Sequence, residues 1–182
     1  MAHWGPFEDL ANEEVEEVVA VNALHPVYII KVLLNQMVDK AKKTKTRGAI
    51  IVTSSGLGSI AVPGCISYSA SKSFSSFIAE GLNFELKEHI DVMSYQAGMV
   101  NTNLIDESRE QKDKGKSNFS IIEPAKAVSG CFRDVGYTAI TRGAFAHDLA
   151  PMPPAWIMGR IMMKAGREMR AKKANDNFEK MK

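Results

Sequence analysis

Four side chains can carry chemistry together: Asn22, Ser55, Tyr68 and Lys72. Tyr68 stands four residues before Lys72, so on a helix the two project from one face, one turn apart. An ammonium beside a phenol favours the phenolate. A free phenol titrates at about 10, so bringing it to working pH needs roughly three units, about 4 kcal/mol of differential stabilisation, much of which one buried cation can supply. Ser55, thirteen positions before Tyr68, ends an apolar run and is placed to donate a hydrogen bond to the same substrate oxygen. The set suits the interconversion of a ketone and an alcohol with transfer of a proton.

The elements that must position these residues read as α-β-α-β-α-β-α. Residues 13–37 carry Val15, Val18, Val19, Ile29, Ile30, Leu33, Leu34 and Met37, with acid at the start as a helix dipole prefers. Pro26 interrupts this helix. It has no N–H to offer the carbonyl four residues back, so the main-chain carbonyl of Asn22 is predicted to be free. Residues 49–52 form a continuous β-branched run, a strand covered on both faces. Gly56, Gly58, Pro63 and Gly64 then make a loop, with Gly56-Leu-Gly58 part of a substrate wall. Residues 68–88 form the catalytic helix, and its stripe of Phe74, Phe77, Ile78, Leu82 and Leu86 is either core or a subunit interface. Residues 90–95 are the next strand, ending at Gly98 on the carboxyl edge of the sheet. A charged loop follows at 106–116, Pro124 opens a helix towards Gly136, and 143–147 is the last strand. His147 is assigned a structural rather than a catalytic role, the proton role being filled.

The stretch 48–102 resembles the catalytic half of a short-chain dehydrogenase/reductase. Arg47-Gly-Ala-Ile-Ile-Val-Thr-Ser-Ser55 resembles the family's fifth strand with its serine, and Tyr68-Ser-Ala-Ser-Lys72 matches the Tyr-x-x-x-Lys box. Val21-Asn22 sits where the family keeps its helix asparagine. Gln96-Ala-Gly-Met-Val-Asn-Thr102 resembles the Pro-Gly-x-Val-x-Thr loop that closes on nicotinamide, with Ala97 in place of the proline. A finer resemblance is to the 17-beta-hydroxysteroid dehydrogenase group that includes very-long-chain 3-oxoacyl-CoA reductases, through Asn22-Ala-Leu-His-Pro26, Thr141-Arg-Gly-Ala-Phe-Ala-His147 and Pro154-Ala-Trp156.

The resemblance implies an α/β fold with a Rossmann-type doubly wound parallel sheet, lacking the N-terminal nucleotide-binding strands. It implies Tyr68 as general acid in reduction, Lys72 lowering its pKa, Ser55 polarising the carbonyl, and the Asn22 carbonyl ordering a relay water. It places Tyr68, Lys72, Gly98, Val100 and Thr102 around NADP or NAD, and a substrate lid at 106–116. It suggests a hydrophobic keto or hydroxy substrate, a 3-oxoacyl-CoA or a steroid, at the endoplasmic reticulum membrane surface, with a cytoplasmic or mitochondrial setting as alternatives. The first twenty residues hold only Gly5, so no Gly-rich phosphate loop precedes the site.

Composition fits one packed core: 182 residues, 45% apolar and 24% charged. Residues 1–150 read as the oxidoreductase portion and 151–182 as a basic amphipathic helix. From residue 151 onward there are eight Lys/Arg and three Asp/Glu, a local +5 within a net +2, so the first 150 residues carry −3. Trp156, Ile157, Ile161, Met162 and Met163 alternate there with Arg160, Lys164, Arg167 and Arg170. This helix either lies on a membrane surface or presents a solvated basic face, and no nucleic-acid motif accompanies it. Cys65 and Cys131 have no metal or disulfide spacing and read as reduced thiols; no metal site is expected. Glu8, Asp9, Glu13, Glu14, Glu16 and Glu17 precede the first Lys or Arg, Lys31, which argues against a presequence at this end. The expected partner is a second polypeptide or a second copy. A catalytically inactive homologue acting as a structural or binding subunit stands as the alternative to an enzyme.

Overall fold

The computed structural model describes residues 1–102, 121–144, 147 and 154–180. Helix α1, Asn12–Val19, opens on Glu13 and Glu14, and the Glu14 carboxylate accepts the Ala11 amide at 3.0 Å, satisfying one of the donors a helix start leaves open. A π-helical turn, Ala20–Leu24, joins it to α2, His25–Thr44. The helical path therefore runs through Pro26 instead of breaking there. The His25 amide reaches back five residues to the Ala20 carbonyl, and Pro26 falls in the first turn of α2, where its missing N–H is tolerated. Lys45, with φ of 59°, ends α2 in the left-handed conformation.

The remaining elements are β1 (Gly48–Ser55), α3 (Ile66–Leu86), β2 (Ile90–Ala97), β3 (Met99–Val100), β4 (Ile121–Ile122), α4 (Pro124–Asp134), β5 (Ile140–Thr141) and α5 (Ala155–Lys180). β2 is the central strand of a parallel sheet ordered β1-β2-β5, with Gly48 opposite Ile90, Ser55 opposite Ala97 and Ser94 opposite Ile140. A parallel two-stranded pair, β3 with β4, sets Val100 against Ile122.

Alternation along β2 divides the interior. Ile90 and Val92 pack with Val52, Ala79 and Ala41 beneath α2 and α3, while Tyr95, on the opposite face, packs with Ile122, Ala127 and Ala144 of the α4 side. Helices thus lie on both faces of an α/β, Rossmann-type parallel sheet; among the described residues no strand precedes β1, which is therefore an edge strand with Ala49 and Thr53 exposed and is not covered on both faces as its apolar run implied. Each fully buried aliphatic side chain in these layers contributes about 1.5–3 kcal/mol.

The contact between α3 and the strands is polar at its centre. Ser76 meets the hydroxyls of Ser54 at 3.0 Å and Ser94 at 2.9 Å, and the Gln96 amide donates to Ser76 at 3.4 Å. Ser94 is fully buried, so these bonds replace the water its hydroxyl gives up. Small hydroxyl side chains let α3 approach the sheet closely while fixing its register along β1 and β2.

Two further expectations are corrected, on the last strand and on α5, while the α3 stripe is core in part as expected. Among the described residues the last strand is Ile140–Thr141 rather than 143–147: Gly143 has φ of +73°, and a Cβ there would stand 2.8 Å from the Tyr95 ring, so the chain turns at this point. Residues 145 and 146 lie outside the described residues, as does the charged loop 106–116. The apolar stripe of α3 divides, Leu82 and Leu86 packing on the core while Phe74, Phe77 and Phe84 stay exposed. In α5 the apolar and basic residues do not sort onto two faces: Trp156 and Ile161 lie outside, and the inner face is built on Gly159, Met163 and Gly166.

Candidate active site

β1 delivers Ser55 to the carboxyl edge of the sheet, where the chain turns through a single 3-10 turn, Gly56–Ser59. Ser55 Oγ accepts the Leu57 amide at 3.2 Å, which orients the hydroxyl, and the same hydroxyl acts on the Tyr68 phenol, opposing part of the rise that burial causes. Tyr68 lies in the first turn of α3 and Lys72 one turn on. Two bonds tie that turn to β1: Lys72 Nζ donates to the Thr53 carbonyl at 3.1 Å, and Ser54 Oγ donates to the Lys72 carbonyl at 2.6 Å. Gly58, read from sequence as substrate wall, lies on the helix backbone instead. A Cβ on it would stand 2.9 Å from the Lys72 carbonyl carbon and the Ser73 nitrogen.

The electrostatics differ from the simple expectation of a lysine pulling the phenol towards its anion. Burial pushes the Tyr68 phenol above its ordinary value, with the Ser55 hydrogen bond opposing it in part. Lys72 is itself lowered by burial, and its Nζ stands 6.0 Å from the Tyr68 ring centre while holding the Thr53 carbonyl. In this arrangement the phenol keeps its proton at neutral pH, the form a general acid requires. Cys65, immediately before α3, is pushed up to about 11 by burial and is no nucleophile at neutral pH.

Asn22 is brought to α3 as expected, with a different role for its carbonyl. The Asn22 carbonyl is not free: Ser75 Oγ donates to it at 2.7 Å. Pro26 removed one donor, and a serine hydroxyl from the neighbouring helix took its place. The Asn22 amide donates to Ser71 Oγ at 3.3 Å and to the Met1 carbonyl at 2.7 Å.

Gly98, Val100 and Thr102 follow β2 on the same edge. Gly98 and Thr102 are exposed, and Val100 packs into the Ile122 and Ala144 cluster. His147 is buried against this loop: a Cβ on Gly98 would stand 2.7 Å from its ring, in keeping with a structural part for the histidine.

Two further features escaped the sequence reading. The Trp4 ring stands 5.9 Å from that of Tyr68, tilted by 41°, and nothing in a 64-residue separation signals that contact. The Ser76 hydrogen-bonding centre did leave a signal in the run of serines between Ser67 and Ser76, which an apolar core helix does not need.

The donor set fits the nicotinamide end of a dinucleotide. A lysine ammonium has three donors, of which one goes to Thr53; Ser55 and Tyr68 lie at the same end of β1 and α3, and Gly98 is exposed just past the end of β2. Among the described residues no Gly-rich strand-to-helix turn offers a pyrophosphate cradle, and no cluster of His, Cys, Asp or Glu could hold a metal ion.

A family profile described as short chain dehydrogenase matches residues 1–113. The chain belongs to the short-chain dehydrogenase family. It is similar to the very-long-chain 3-oxoacyl-CoA reductase of Bos taurus, 29% identical over 169 residues that make up 90% of this chain and 50% of that protein. This chain therefore spans about half the length of the relatives it matches. Among solved structures it is similar to an angucycline C-6 ketoreductase with bound NADP, with a TM-score of 0.60 and 26% identity over 74% of this chain and 51% of that one. A 4-hydroxyisoleucine dehydrogenase mutant complexed with NADH and succinate shares the fold, with a TM-score of 0.61, 23% identity, and 74% and 56% of the two chains covered.

Proposed function

We propose that this chain is the catalytic portion of a nicotinamide-dependent oxidoreductase that reduces a ketone to an alcohol on a hydrophobic substrate of the 3-oxoacyl-CoA or steroid type. The observation that carries the reading is the placing of Ser55 at the end of β1 beside a protonated, half-buried Tyr68 phenol, with Lys72 one turn on and bonded to the Thr53 carbonyl. A nicotinamide cofactor, NADP or NAD, supplies the hydride when bound. Ser55 donates to the substrate carbonyl oxygen and polarises it; Tyr68 delivers the proton to that oxygen as it becomes an alkoxide. Lys72, released from the Thr53 carbonyl or sharing its remaining donors, stabilises the phenolate left behind. The Trp4 ring excludes water on one side of the phenol. An endoplasmic reticulum membrane setting is part of the proposal, supported by the 3-oxoacyl-CoA reductase relative.

The test uses a form carrying a complete dinucleotide site and a 3-oxoacyl-CoA substrate. Tyr68→Phe should lower turnover about 10²–10⁴-fold with the fold intact, the loss expected when one general acid is removed. A near-normal rate in that variant would refute the assignment.

A second reading, a non-catalytic subunit, is favoured by the exposed apolar surface. Phe77 is 75% and Phe84 73% exposed on α3, and Tyr28 and Val32 are exposed on α2. The helical stretch Asn12–Thr44 holds an 18-residue window of mean hydropathy 1.6, while Ile30, Met37 and Ala41 pack on the β1 core. Its outward side suits a protein partner or a second copy. Calorimetric titration of the isolated chain with NADPH separates the cases: the described residues offer no phosphate cradle, so binding weaker than micromolar is expected. A micromolar or tighter constant would show a phosphate site built by other means.

A further inference from the structure

Helix α5 faces two ways, and its contacts settle which way it is turned. Gly159 and Gly166 are seven residues apart, two turns, and share one face. A Cβ on Gly159 would stand 2.8 Å from the Pro63 ring, and Gly166 lies against the backbone of Gly5. Between them, the Met163 amide nitrogen would stand 2.7 Å from a Cβ on Gly64. One turn beyond Gly166, Arg170 donates to the Trp4 carbonyl at 3.2 Å and to the Glu14 carboxylate at 2.8 Å. Backbone contacts this close leave the helix no freedom to roll.

The flank left to solvent is basic and partly apolar. Trp156, Arg160, Lys164 and Arg167 follow at spacings of four, four and three, so they form one stripe, and all four are exposed. Trp156 is 63% and Ile161 56% exposed, and the Arg160 guanidinium stands 5.7 Å from the Trp156 ring centre. The acid beside this stripe, Glu168, is 3.9 Å from Lys164 and well solvated, so it does little to cancel the charge.

We propose that this flank of α5 docks on an anionic phospholipid bilayer, with Trp156 and Ile161 entering the headgroup layer and Arg160, Lys164 and Arg167 over the lipid phosphates. Charge complementarity favours this occupant, and the exposed indole beside the cations favours lipid over nucleic acid. Trp is at home at a membrane interface, whereas a phosphodiester backbone would leave it wet. The inward face of the same helix rests on residues 63 and 64, which lead directly into the first turn of α3 with Tyr68. Docking would leave α5, one helix diameter of about 10–12 Å, between the bilayer and the segment that leads to Tyr68. An apolar substrate would then reach the phenol from the lipid side. That last consequence rests on the oxidoreductase reading; the docking itself does not.

The experiment is co-sedimentation of the full chain with phosphatidylcholine vesicles, with and without phosphatidylserine, alongside tryptophan emission. Binding to the anionic vesicles only, weakened by salt and accompanied by a blue shift that Trp156→Phe reduces, is expected. Each cation at such a surface is worth about fivefold in affinity, so Arg160→Gln, Lys164→Gln and Arg167→Gln together should weaken binding about 100-fold with an unchanged circular dichroism spectrum. Equal binding to neutral vesicles, full binding by the triple variant, or binding of duplex DNA in preference to vesicles would each overturn the proposal. No readout uses substrate or cofactor, so failure here leaves the proposed reaction to its own test.

Discussion

Gly58→Ala tests whether the serine turn is held against the catalytic helix as closely as the structure shows. The added methyl would lie 2.9 Å from the Lys72 carbonyl carbon and the Ser73 nitrogen, against an ordinary carbon separation of about 3.5 Å, an overlap of about 0.6 Å. Both atoms belong to the backbone inside α3, so no side-chain rotation relieves the overlap; the turn or the helix must move. Overpacking of this kind costs about 1–3 kcal/mol. For a chain of this size each kcal/mol is worth about 2–4 °C, so melting should fall by about 2–12 °C. Gly81→Ala in the same helix is the control. No atom lies within 4 Å of its Cβ position, and alanine gains about 1 kcal/mol over glycine in a helix interior, so melting should rise. The displacement also separates Ser55 from the turn carrying Tyr68 and Lys72. A 1 Å misplacement can cost about 10²-fold, so an active form should lose about tenfold in turnover. Thermal melts followed by tryptophan fluorescence read the stability arm. A Gly58→Ala chain that melts at or above the parent temperature would refute the close approach and, with it, the positioning argument.

Glu14 makes a pH-dependent prediction. Its hydrogen bond from Arg170 is the largest influence holding its carboxyl below the ordinary 4.5, aided by the Ala11 amide and opposed by burial. As pH falls, the unfolded chain takes up this proton first, so the stability the pair contributes is present above 4.5 and lost as pH falls through the depressed value. Melting should therefore drop on acidification through that window, and Glu14→Gln should flatten the drop; an unchanged slope in the variant would count against the link between α1 and α5. For the outward face of α3, sedimentation velocity should show the parent chain assembled, and Phe77→Ser with Phe84→Ser should shift it to a smaller species. A parent that sediments as a stable monomer would remove the case for a partner on that face.

What could be read locally was read correctly because its cause is local. Lys72 follows Tyr68 by one helical turn, the apolar run 49–52 belongs to β1, and Pro124 opens α4, all from period and propensity alone. The Tyr-x-x-x-Lys box and the serine thirteen residues before it were enough to indicate the family. The proline rule also held as far as it reached: Pro26 withholds a donor from Asn22. Whether that carbonyl stayed free was decided by Ser75, from a helix 53 residues away, and a local rule has no access to such a neighbour. The same holds for the charge state of Tyr68. Spacing puts an ammonium one turn away, but the Thr53 carbonyl captures it, and burial then raises the phenol. Gly58 on Lys72, Trp4 on Tyr68 and the glycine face of α5 on Gly5 and Pro63 are contacts between segments far apart in the chain. Hydrophobic periodicity reports which side of an element is buried, not what lies against it, and a glycine that permits backbone contact carries no periodicity at all. The residue types of the candidate site were thus legible in the sequence, whereas their protonation, hydrogen-bond partners and shielding from water were set by tertiary packing, because those depend on distances and dielectric that exist only once the segments meet.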